Sequence, residues 1–117
     1  MIKVSLKRAT EAVVLDRGDD THEDLELREM LGDERDSYLD SLGDRVKLDS
    51  KGKPIGVKKF DGMQADLLSR CLYRGDVLVT AKEIQKWPCS ISQTLFVAAQ
   101  SMNHLSTNKD EGEEKND

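Results

Sequence analysis

The sequence predicts an α+β fold, mainly α. A small antiparallel sheet is expected over residues 1–30, three or four helices over 33–105, and a disordered acidic tail over 107–117. Three observations carry this. Apolar residues alternate with polar ones near the start, the period of a half-buried strand. Four helix-start signatures then follow one another. Residues 90–105 form the longest apolar face in the chain, with Ile91, Leu95, Ala98, Met102 and Leu105 recurring every three or four positions. A length of 117 residues suits a single small domain, expected over 1–106, with a modest core.

In order, Ile2, Val4 and Leu6 alternate with Lys3 and Ser5, so residues 2–6 are expected to be a strand. Residues 12–15 are a second β-prone run. The turn Asp16-Arg17-Gly18-Asp19-Asp20 follows, and Leu25 and Leu27 resume a period of two. Asp33 is the expected N-cap of the first helix, whose stripe is Tyr38, Leu39, Leu42 and Val46. Residues 48–59 hold Gly52, Pro54 and Gly56 and read as a basic, turn-rich loop or loose hairpin. Asp61 and Gln64 mark a second helix, carrying Met63, Leu67, Leu68, Cys71 and Leu72, with Gly75 as its stop. Residues 77–79 are a short extended link. Thr80 and Glu83 form a capping box for a short helix with Ile84 and Trp87 inward, ended by Pro88. Ser90 and Gln93 cap the last helix.

Charged residues make up 35% of the chain and aromatic ones 4%. A chain so poor in large rings has little to bury alone, so a homo-oligomer is expected. The net charge of −5 argues against nucleic acid. Residues 16–36 hold ten acids and three bases, whereas residues 45–59 hold six bases and one acid. Such blocks support contact between copies; the simpler reading is a solvated, charge-rich surface. No stretch approaches the roughly 20 apolar residues of a membrane span, and no signal peptide is visible, so no membrane and a reducing cytoplasm are expected.

Signs of catalytic chemistry are absent. Cys71 and Cys89 form no CxxC pair. His22 and His104 have no partner at a motif spacing, and neither a Gly-rich phosphate loop nor a metal-ligand cluster is present. No catalytic residue, cofactor or metal is therefore expected. The candidate partner-binding residues are Lys51, Lys53, Lys58 and Lys59 in the basic loop, and Met102, His104 and Leu105 at the end of the last helix.

The order of the pieces resembles the tail assembly chaperones of long-tailed bacteriophages, in their short form. The resemblance spans residues 25–105. It rests on Leu27-Arg28-Glu29 with Gly32, Glu34, Arg35 and Asp36, and on Leu67-Leu68 with Cys71-Leu72-Tyr73. Further along it rests on Leu78-Val79-Thr80 with Glu83 and Ile84, and on Leu95-Phe96 with Ala98-Ala99-Gln100 and Asn103. It implies a non-enzymatic protein that holds the tape measure protein and helps recruit tail tube subunits around it. Such a protein works in the host cell cytoplasm and is absent from the mature virion. The resemblance also implies self-association and, in many members, a longer form made by ribosomal frameshifting. The alternative is a small adaptor or regulatory protein binding a single cellular partner.

Overall fold

The computed structural model describes residues 1–105. The expected disordered acidic tail lies outside them. Four helices and six strands are present: β1 (Thr10–Asp16), β2 (His22–Arg28), α1 (Gly32–Gly43), β3 (Val46–Leu48), β4 (Pro54–Val57), α2 (Met63–Leu68), β5 (Leu72–Arg74), β6 (Val77–Leu78), α3 (Ala81–Ile84) and α4 (Cys89–Met102). The expectation of a mainly α chain with one N-terminal sheet is thereby corrected. The described residues are 34% helical and 25% strand, with two antiparallel sheets whose later strands are threaded between the helices.

The larger sheet has the order β1-β2-β5-β6. β1 and β2 pair along their whole length, from Thr10 opposite Arg28 to Asp16 opposite His22. β5 then adds to the other side of β2, with Leu72 opposite Leu27. A two-residue turn at Gly75 and Asp76 leads into β6. Gly75 stands at φ 64, where a side chain would be strained, so this glycine reverses a hairpin rather than ending a helix.

The expected second helix is cut short for the same reason. Its apolar run continues to Leu72, but α2 ends at Leu68 because Leu72 is drawn into the sheet beside Leu27. Both leucines are fully buried. α2 starts from Gly62 in the left-handed region at φ 73, not from Asp61. In α1, the first free N–H, on Leu31, donates to the Glu34 carboxylate at 2.8 Å, so the cap lies two residues before Asp33. Within α1 Tyr38 alone is buried; Leu39 is exposed, and Val46 belongs to β3. Thr80 caps α3 as expected, its hydroxyl accepting from the Glu83 N–H.

The core lies between the large sheet and α2, α3 and α4. Leu15, Leu25, Leu27 and Leu72 face it from the strands, and Leu67, Leu68, Ile84 and Phe96 from the helices. α4 begins after Pro88, with Ser90 already inside the helix. Its buried line is Ser92, Leu95, Phe96 and Ala99, turned from the expected stripe; Ile91, Ala98, Met102 and Leu105 flank it, half-buried. Cys71 is fully buried and its thiol donates to the Leu67 carbonyl at 3.4 Å. Burial pushes the thiol pKa up to about 12, so it is a core residue and no nucleophile at neutral pH.

Residues 1–9 form no strand. The expected strand at 2–6 is instead an extended arm with Ile2, Val4 and Leu6 at 91%, 85% and 103% exposure. Alternation made it able to pair, but no strand of the fold runs beside it. Among the described residues no helix is long and apolar enough to cross a membrane.

Candidate partner-binding site

The smaller sheet is the hairpin of β3 and β4, set between α1 and α2 in the chain. Its loop closes on Asp49, whose Oδ1 accepts from the N–H groups of Lys51 and Lys53 at 2.8 and 2.9 Å. The Asp49 N–H donates to the Lys53 carbonyl at 2.9 Å. At the open end, Arg45 ties the hairpin down. The Lys58 N–H donates to the Arg45 carbonyl at 2.7 Å, and the Arg45 guanidinium donates to the carbonyls of Lys59 and Asp61 at 3.2 and 2.7 Å.

The hairpin carries apolar groups that none of the described residues covers. Leu48, Ile55, Val57 and Phe60 are exposed, Ile55 by 58% and Phe60 by 68%. Lys47, Lys51, Lys53, Lys58 and Lys59 interleave with them, and all five are exposed. Among the described residues none of these lysines is within ion-pair distance of a carboxylate. A two-stranded hairpin with uncovered apolar groups is marginal on its own. Unpaired cations beside it present a surface suited to an acidic, amphipathic partner.

Of the candidate binding residues, the four lysines 51, 53, 58 and 59 thus fall on this one hairpin. Lys58 and Lys59 also border an open cleft with Arg45, Asp44 and Phe60. Met102, His104 and Leu105 lie elsewhere, at the end of α4. Met102 and Leu105 pack half-buried against the core, while His104 is exposed and stands in the left-handed region at φ 56. The Leu105 N–H donates to the Gln100 carbonyl and the His104 N–H to that of Ser101, the paired bonds of a Schellman cap. Arg35 closes this end from α1, donating to the carbonyls of Asn103 and His104 at 3.0 and 3.1 Å. The end of α4 is therefore a sealed joint, with His104 its one exposed candidate side chain.

The apolar half of the hairpin surface is missing from the sequence-based candidates. Val46 and Leu48 flank Lys47, and Ile55 and Val57 flank Gly56, so a weak period of two was available. The density of lysines, Gly and Pro leaves the sequence open between a loop and a loose hairpin, and the hairpin is what forms.

A second charged cluster is structural. Arg74 on β5 donates to the Glu23 carboxylate on β2 and to Glu83 on α3, with Arg17 also on Glu23. The Arg74 guanidinium holds both carboxyls below the usual range, and they in turn raise Arg74. Both folded pKa values are depressed, so this stabilisation is present above about pH 4.5 and lost as pH falls through the folded values. The groups are partly exposed, so each pair contributes under about 1 kcal/mol. Arg74→Met is expected to lower the thermal midpoint by a few degrees at neutral pH. The gap from wild type should close as the melts are repeated at successively lower pH; a gap that stays constant would deny the cluster its charge.

Among the described residues no group of three or more His, Cys, Asp or Glu is placed to hold a metal ion. No known protein family, curated protein or solved structure matches the chain.

Proposed function

We propose that this chain is a non-enzymatic tail assembly chaperone of a long-tailed bacteriophage, which holds the tape measure protein and helps bring tail tube subunits to it in the host cytoplasm. The ordered resemblance over residues 25–105 supports the family. The apolar motif residues Leu27, Leu67, Leu68, Cys71, Leu72, Ile84, Phe96 and Ala99, with Asn103, are buried, while most of the charged and polar ones are not. The likeness is therefore one of core pattern, and the means of binding must be sought on the surface.

The observation that favours a holding role is the β3–β4 hairpin, with exposed Leu48, Ile55, Val57 and Phe60 among lysines that meet no carboxylate among the described residues. A chaperone for a long helical protein needs apolar contact that is released when its successor arrives. Salt-sensitive lysine contacts beside a small apolar patch meet both needs.

The test is to combine the full chain with a tape measure protein from the same genome. The chain is expected to keep that protein in solution as a complex. Reversal of two charges, in Lys58→Glu/Lys59→Glu, is expected to weaken the complex roughly three- to tenfold at low salt and much less at high salt. A tape measure protein that precipitates equally with and without the chain would overturn the proposal and leave the adaptor alternative.

A further inference from the structure

The arm of residues 1–6 has a counterpart elsewhere on the molecule. β1 is an edge strand, so one side of it presents unpaired N–H and C=O groups. Beside that edge lies an open apolar groove of about 320 Å³. Val13 and Leu15 of β1 form one wall, Ile91 and Leu95 of α4 the other, and Ser90 and Thr94 the rim. An added strand with apolar residues at every second position would complete the sheet and cover this groove. Ile2, Val4 and Leu6 have that spacing and are exposed.

The arm cannot readily serve its own edge. The Ala9 carbonyl accepts from the Glu29 N–H at 2.8 Å, and the Ala9 N–H donates to the Glu29 carboxylate at 2.9 Å. Arg8 Nε donates to the Glu29 carbonyl at 2.6 Å, and its guanidinium lies 3.7 Å from Glu34. These bonds fix the base of the arm toward the end of β2 and the start of α1. To fold back onto β1 the chain would have to reverse within residues 7–9. Residues 1–9 contain no Gly, Asn or Asp to take the positive φ that a tight hairpin turn requires.

Charge selects both occupant and direction. The arm is cationic, with Lys3, Lys7 and Arg8, and the first acid in the sequence is Glu11. The far end of β1 and its turn carry Asp16, Asp19 and Asp20, with Asp24 beside them on β2. An arm antiparallel to β1, with Ile2 near Leu15 and Val4 near Val13, brings Lys3 to this acidic end; a parallel arm carries it away.

We propose that the N-terminal arm of one copy docks as an added antiparallel strand on the β1 edge of a second copy, seating Ile2 and Val4 in the groove between β1 and α4 with Leu6 beyond its end, next to Glu11. Reciprocal exchange closes a pair, and one-way exchange builds a chain of copies. This contact does not rest on the chaperone reading, and its test uses the chain alone, so the two fail separately.

Sedimentation velocity of the full chain over a concentration series up to the millimolar range is expected to show dimers or larger species. Val4→Asp/Leu6→Asp should raise the dissociation constant roughly tenfold or more, with unchanged circular dichroism and melting, since neither side chain touches the core. Thr94→Trp, which fills the groove from an exposed position on α4, should do the same. An equimolar mixture of the two variants should regain association, because the intact arm of one meets the open groove of the other. A wild type that stays monomeric throughout, or variants that associate as wild type does, would overturn the proposal.

Discussion

Replacing Asn103 by alanine is expected to cost about 2–3 kcal/mol of folding stability, a fall in thermal midpoint of roughly 10–20 °C. Asn103 is buried at the end of α4. Its Oδ1 accepts from the Met30 N–H at 2.7 Å, and its Nδ2 donates to the Ala99 carbonyl at 2.8 Å. The two partners have opposite needs, so the orientation of the amide is determined. Alanine would leave the Met30 N–H, between β2 and α1, without an acceptor. The Ala99 carbonyl would suffer less, since it still accepts the Asn103 backbone N–H at 3.1 Å. Most of the loss therefore comes from one stranded donor. Asn103→Asp separates the terms: an oxygen still serves Met30, but a second one now opposes the Ala99 carbonyl. Burial and that carbonyl raise the new carboxyl's pKa, so its deficit should shrink as pH falls and the acid becomes able to donate. Denaturant melts and the exchange rate of the Met30 amide measure both effects. A loss under about 0.5 kcal/mol for Asn103→Ala would mean that the joint is open to water.

That residue also shows where sequence reasoning stops. The bond from Met30 to Asn103 spans 73 positions, and no local pattern announces such a pairing. Signals that depend on neighbours were legible: the β-prone run at 12–15, the period of two in β2, the Thr80 cap, the Asp16 turn. Signals that depend on distant strands were not. Residues 63–72 read as one apolar run, and whether Leu72 continues a helix or enters a sheet is decided by Leu27, far back in the chain. The arm is the converse case. Ile2, Val4 and Leu6 have the period of a strand, yet the fold provides no neighbour for them. Of the candidate site, the lysines were legible as a charge block. The apolar residues among them became visible only once the hairpin had formed and left them uncovered.

Leu27→Ala is expected to be the most damaging single truncation, at about 3–5 kcal/mol. Leu27 is fully buried in the strand that joins the two halves of the large sheet, with Glu11 of β1 on one side and Leu72 of β5 on the other. Paired strands on both sides leave little freedom to collapse into the space left, so the cavity persists. A domain of this size has about 5–15 kcal/mol in all, so the variant should sit near its folding threshold. Ile55→Ala is the control. It removes a side chain of similar volume, but from the exposed hairpin, and should change stability by no more than about 0.5 kcal/mol. Urea midpoints at equal m-value give the comparison. If the two variants lost equal stability, the hairpin would belong to the core and could not be a surface held for a partner. If Ile55→Ala kept its fold but failed to hold in solution a tape measure protein that the wild type does hold, the apolar groups exposed on the hairpin would be accounted for by binding.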